Sequence, residues 1–185
     1  MGTVFVDNLE PQSGTSLTLG ASGDTLQVAS GVINNLGISQ ADQWRLTTNI
    51  TSDTDPITTL ERVDEASSGI IGTGMTESSG VFSFPSTGIY LVTVKGAFFA
   101  DNDTNIAIHT DVDTGSGYDQ YDVIDAGSET NVGRSIGFGS LILDITDTST
   151  HKIKFRTVGM GSGNIVFGST DYNRTAFTFI RLGDT

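Results

Sequence analysis

An all-β domain is predicted by three features of this 185-residue sequence. Gly, Thr and Ser are abundant while Ala and Glu are scarce; no window carries apolar residues at helical spacing over three turns; and apolar residues alternate with others in short runs set between turn clusters. Many short strands without helices leave a sandwich, a jelly roll or a barrel.

The first element, residues 1–42, reads as a repetitive segment rather than part of the globular domain. Ser13-Gly14-Thr15-Ser16-Leu17-Thr18-Leu19 is echoed nine residues on by Ser22-Gly23-Asp24-Thr25-Leu26-Gln27-Val28, which aligns Leu17 with Leu26 and Leu19 with Val28. Two such strands bury too little apolar surface to stand alone, so Leu17, Leu19, Leu26 and Val28 are the candidate contacts with a partner: copies of the same segment in a threefold stalk, or a larger assembly. Residues 34–40, with Gly37, form a joint, and Trp44 opens the globular domain at 43–185.

Within that domain Gly88 to Phe99 reads as a long, largely buried strand. Ile106 and Ile108 mark the next, and Ile136 to Ile145, with Phe138, Leu141, Ile142 and Leu143, another. His151 to Val158 alternates Lys152, Lys154 and Arg156 with Ile153, Phe155 and Thr157, the period of a strand with one wet and one buried face; Asp144 or Asp147 are the expected acidic partners. Ile165 to Phe167 and Ala176 to Ile180 complete the set. Turn clusters at 113–117, 147–150 and 159–163 separate them.

Composition narrows the function. A formal net charge of −13, from 9 basic against 22 acidic residues, disfavours nucleic acid. No Cys and only His109 and His151 leave no thiolate zinc site, cysteine nucleophile or histidine-rich metal centre. One of the two longest uncharged runs, Ser78 to Val94, is interrupted by Gly80, Pro85 and Gly88, no membrane insertion is expected, and the N-terminus shows no secretory signal.

Three patterns bear on chemistry. Gly133-Arg134-Ser135-Ile136-Gly137 has the form of a nucleophile elbow, with Asp144 or Asp147 and His151 following in hydrolase order. Because Ser135 leads into β alternation rather than a helix, the match is read as accidental and the chain as no enzyme. Asp101 and Asp103, and Asp111 and Asp113, carry carboxylates at alternate positions that suit calcium, but neither loop has a bidentate Glu at the twelfth position; no cofactor is expected, with calcium as the weak alternative. Tyr118, Tyr121 and Tyr172, read as loop residues, are candidate contacts for a saccharide or protein receptor.

The run Gly80-Val81-Phe82-Ser83-Phe84-Pro85-Ser86-Thr87-Gly88-Ile89-Tyr90-Leu91-Val92 resembles the central motif of complement-component-1q and tumour-necrosis-factor-like jelly rolls. Ala176-Phe177-Thr178-Phe179-Ile180-Arg181-Leu182-Gly183 resembles their closing strand. The likeness spans about Gln43 to Leu182 and implies an antiparallel jelly-roll sandwich and a homotrimer, with Phe177, Phe179, Tyr90 and Val92 as candidate trimer-core residues. Residues 9–25 are similar to the leading segment of fibre-like proteins of tailed bacteriophages. Together these imply a virion structural protein: a fibre, spike or capsid-decorating knob, on head or tail, that docks on other virion proteins by its N-terminus and serves particle stabilisation or attachment to a host cell-surface molecule. The alternative is a bacterial surface or secreted binding module of the same fold, adhesin-like or lectin-like. The Gly-X-Y collagen stalk of animal complement proteins is absent from the sequence.

Overall fold

The computed structural model describes residues 10, 11, 13, 14, 37–101, 103, 105–127 and 132–185. Leu17, Leu19, Leu26 and Val28 therefore lie outside the described residues. Residues 37–185 form one compact unit.

Eleven strands are found among the described residues: β1 (Ala41–Leu46), β2 (Leu60–Arg62), β3 (Thr76–Ser78), β4 (Val81–Ser83), β5 (Gly88–Asp101), β6 (Ile106–Thr114), β7 (Tyr118–Ala126), β8 (Val132–Ile145), β9 (His151–Val158), β10 (Ile165–Val166) and β11 (Ala176–Gly183). They form two antiparallel sheets. In the first, β5 pairs with β8 on one side and with β10 and β11 on the other, and β1 and β2 follow β11. The second runs β3-β4-β9-β6-β7. Among the described residues no helix is long and apolar enough to cross a membrane.

The core lies between the sheets and is rich in aromatic rings. Phe82 and Phe155 from the second sheet meet Trp44, Phe177 and Phe179 from the first. Phe155 stacks on Phe177 at 4.0 Å between ring centroids, and Phe82 lies 5.3 Å from Trp44 and 5.2 Å from Phe179. Such pairs contribute about 0.5–1.5 kcal/mol each beyond their buried area.

The motif around Gly88 has a local physical cause. Gly88 has φ +138°, and a Cβ there would sit 2.4 Å from the Arg181 guanidinium Nε and 2.5 Å from the Gly183 carbonyl oxygen, so the chain enters β5 against the end of β11 only without a side chain. Two residues on, the Tyr90 hydroxyl donates to the Ser86 carbonyl at 3.0 Å while its ring meets Phe84 edge-on at 4.9 Å. Loop, strand entry and core are thus fastened together.

β5 is half-buried rather than largely buried: Tyr90, Val92, Val94 and Phe98 point inward, and the residues between them face out and are partly exposed. The expected wet face of β9 is present, but its partners are Asp111 and Asp55, because register places Asp111 opposite Lys154. Tyr118 and Tyr121 belong to strand β7, not to a loop; six of its nine residues are polar or aromatic and its outer side is exposed, so neighbours rather than apolar periodicity define it.

Two polar knots hold β1. Asp42, buried, accepts from the Trp44 indole at 2.9 Å, the Met75 amide at 2.8 Å and Arg62 at 3.0 Å. Arg45, also buried, donates to Glu61, Asp64 and Glu65 at 2.7, 2.7 and 2.6 Å, and the hydrogen bonds to Glu65 and Glu61 hold its guanidinium pKa above the ordinary arginine value.

Candidate interaction face

The expected trimer-core residues are used inside a single protomer. Phe177, Phe179, Tyr90 and Val92 are at most 1% exposed, all within the core between the sheets. This corrects their expected position at a threefold axis: alternation turns them inward, and their outward neighbours supply the surface that another copy can touch.

Those neighbours make an unusual face. Ile136, Phe138 and Ile142 on β8 are 70%, 69% and 67% exposed. Register sets Ile136 beside Ala97, Phe138 beside Lys95 and Ile142 beside Leu91, which in turn pairs with Ile180 on β11. The outward positions across these three strands are Arg134, Ile136, Phe138, Ser140, Ile142 and Asp144; Ile89, Leu91, Thr93, Lys95, Ala97, Phe99 and Asp101; Ala176, Thr178 and Ile180. The two acids stand at opposite ends, Asp144 beside Ile89 and Asp101 beside Val132, so the central stretch from Ile136 to Ile142 carries no carboxylate, in a chain whose carboxylates outnumber its bases by 22 to 9. Lys95 donates to the Asn173 carbonyl at 3.0 Å.

The orientation of β8 follows from its glycines. Gly137 and Gly139 point inward where β7 crosses, and a Cβ on Gly139 would lie 2.3 Å from Asp122 Oδ2 and 2.6 Å from Ile124 Cγ2. With glycine filling the inner side, Ile136 and Phe138 are left facing solvent. Apolar residues alternating with glycine rather than with polar groups is the signal in the sequence that marks this inversion.

The other candidates are dispersed. Ser135 lies within β8 opposite Phe98, whereas His151 opens β9 beyond the Ile145 end of β8. At ~3.3 Å per residue the ten residues from Ser135 to Ile145 span about 33 Å. The strand runs straight through Ser135, so the sharp strand-to-helix turn of a nucleophile elbow is not formed. His151 is nearly buried, with Nδ1 2.9 Å from the Asp147 carbonyl oxygen.

The carboxylates of Asp111, Asp113 and Asp103 have protein partners. Asp111 accepts from Arg156 at 2.7 Å and lies 3.9 Å from Lys154. Asp113 accepts from the Gly115 and Gly117 amides at 2.7 and 3.0 Å, which hold its carboxyl below the ordinary value. Asp103 accepts from Asn164 Nδ2 at 2.6 Å, and the Asp101 amide donates to the same Asn164 side chain at 2.9 Å. Among the described residues no group of three or more His, Asp or Glu converges as a metal site. Tyr118 packs under Lys154, 4.7 Å from the ring centroid, and burial first, then the Asp113 charge, pushes its phenol up. Tyr172 is exposed, and its hydroxyl accepts from Arg174 at 2.9 Å.

No family model matches the chain, and no curated protein sequence matches it. Solved structures do. The chain is similar to murine APRIL at pH 5.0, with TM-score 0.60 and 11% identity over 77% of this chain and 98% of that one. It is similar to Eiger TNF from S. frugiperda, with TM-score 0.61 and 16% identity over 78% and 93%, and to the globular domain of zebrafish complement 1qA, with TM-score 0.53 and 11% identity over 79% and 99%. The sandwich is therefore a jelly roll of the tumour-necrosis-factor and complement-1q type. At these identities the likeness is one of fold.

Proposed function

We propose that this chain is a non-enzymatic structural protein that assembles as a homotrimer through the apolar centre of the outer face of β8, β5 and β11. The observation that carries the reading is that stretch: three large apolar side chains, each about two-thirds exposed, with no carboxylate between Asp144 at one end and Asp101 at the other. Covering one such side chain fully is worth about 1.5–3 kcal/mol, and a closed ring of copies also covers the free edge of β8. The resemblance of the Gly80–Val92 run to complement-1q and tumour-necrosis-factor-like jelly rolls supports a threefold ring.

The assembly serves on the virion of a tailed phage, docking through residues 1–42 and displaying the jelly roll for particle stabilisation or host attachment. The likeness of residues 9–25 to phage fibre-like proteins supports this placement. Mass spectrometry of purified particles is expected to find the chain as a stoichiometric component; recovery from host cytosol alone overturns the virion role. A chain shortened to begin at Gly37, ahead of β1, separates the two parts: a trimer in both lengths assigns assembly to the jelly roll and leaves the leading segment for docking.

A further inference from the structure

Beyond the apolar stripe, at the end of the sheet where Asp101 pairs with Val132, the same face holds a cavity of about 480 Å³. Its walls include Ala97, Ser135, Ile136 and Phe167, with Arg134 and Arg174. The volume lies within the range of ligand sites, ~300–1,000 Å³.

The two arginines are distinctive. Of the nine basic residues, Arg45, Arg62, Lys154, Arg156 and Arg181 each ion-pair with a carboxylate, and Lys95 and Lys152 donate to backbone carbonyls. Among the described residues neither Arg134 nor Arg174 makes an ion pair. Both instead stack on the Phe167 ring, at 5.0 and 4.9 Å from its centroid, so the charges are no more than about 10 Å apart. Like charges that close repel across a partly desolvated surface, and an anion between them reverses the sign of the interaction. A guanidinium fork matches a flat carboxylate in two parallel hydrogen bonds. The cavity is not a bare anion hole, because Ala97 and Ile136 supply an apolar wall, and the exposed Tyr172 beside Arg174 supplies a hydroxyl and a ring face.

We propose that this cavity binds a carboxylate-bearing sugar ring, with the carboxylate held by Arg134 and Arg174 and the C–H face of the ring against Ala97 and Ile136. The site is complete within one protomer and does not rest on the virion role; because Ala97 and Ile136 also belong to the face assigned to assembly, occupancy of the cavity and closure of that face compete. A wet aromatic beside arginines on an apolar floor suits a ring with hydroxyls above and below better than a peptide side chain, which would fill little of the volume.

Calorimetric titration of the full chain carrying Phe138→Asp, which opens the face assigned to assembly, with D-glucuronate at low salt, and with D-glucose and sulfate as controls, tests it. Saturable glucuronate binding is expected, at least about tenfold tighter than either control and weakened by added salt. Arg134→Gln and Arg174→Gln should each reduce affinity about tenfold or more, while circular dichroism shows the fold retained. Equal affinity for glucose, or glucuronate binding unchanged in both variants, overturns the proposal. Sulfate binding as tightly as glucuronate reduces the site to a simple anion site and overturns the sugar assignment. If instead the double arginine variant of the parent chain changes the solution mass and no sugar binds, the arginines serve a contact between copies and the proposal fails while the assembly reading stands.

Discussion

The two outer faces of the sandwich are built on opposite plans. On the β9-β6-β7 side, Lys154 and Arg156 face Asp111 and Asp55, and Asp113 closes its turn on backbone amides, so each of these charges is matched within the chain. On the β8-β5-β11 side the acids Asp144 and Asp101 stand at the two ends, and the large apolar side chains Ile136, Phe138 and Ile142 are exposed between them. The first face is already satisfied in water. The second is stable there only at the cost of hydrating apolar surface, and gains by being covered. One strand alternation thus yields a face whose charges are matched within the chain and a face available to the proposed assembly.

The largest expected effect comes from placing a carboxylate in the middle of that apolar stretch. Phe138→Asp, or Ile142→Asp, places like charges together around the assembly and should weaken association by about 2–4 kcal/mol per contact, read as a shift to monomer in sedimentation velocity. The same substitution at Tyr121, exposed on β7, leaves the mass unchanged if the comparison holds.

Next in size is the place where the edges of the two sheets meet. Gly139→Ala drives a methyl into Asp122 and Ile124 and should cost about 1–3 kcal/mol in urea unfolding. An unchanged midpoint would mean that β7 does not press on β8 as closely as the geometry requires.

On the ion-paired face, Asp111→Asn removes the carboxylate held by Arg156 and should cost about 1–2 kcal/mol, between the values for exposed and buried pairs, whereas Lys152→Gln, whose ammonium meets only a carbonyl, should change stability by less than about 0.5 kcal/mol. Equal effects would remove the distinction between matched and unmatched charges.

The smallest effect is on acid stability. Hydrogen bonds from the Gly115 and Gly117 amides to Asp113, and from the Ser149 hydroxyl and amide to Asp147, hold both carboxyls below the ordinary 3.8. The unfolded chain therefore binds their protons first as pH falls. Their stabilisation is complete above that value and disappears as pH drops through it toward the lowered folded-state values. Asp113→Asn and Asp147→Asn variants should lose less stability between neutral pH and pH 3 than the parent, measured by thermal unfolding.

Much of the sandwich was legible in the sequence. β9 matches the expected His151–Val158 run, and the turns at 113–117 and 147–150 follow from Asp, Gly and Ser. β7 was not, because Tyr118-Asp119-Gln120-Tyr121-Asp122 has little apolar periodicity and is a strand by virtue of pairing with β6. The site was legible only in part. Aromatic alternation in the closing strand marks Phe177 and Phe179 as important, but alternation does not say which side faces in; that depends on the opposing sheet. The Arg134 and Arg174 pair brings together residues forty positions apart, which no local pattern reveals.

The solution mass of the full chain by light scattering after gel filtration tests the central claim most directly. The account predicts three times the 19.5 kDa chain mass for the parent and one chain mass for Phe138→Asp. A parent protein that runs as a monomer at micromolar concentration, or a Phe138→Asp variant that keeps the parent's mass, would contradict it.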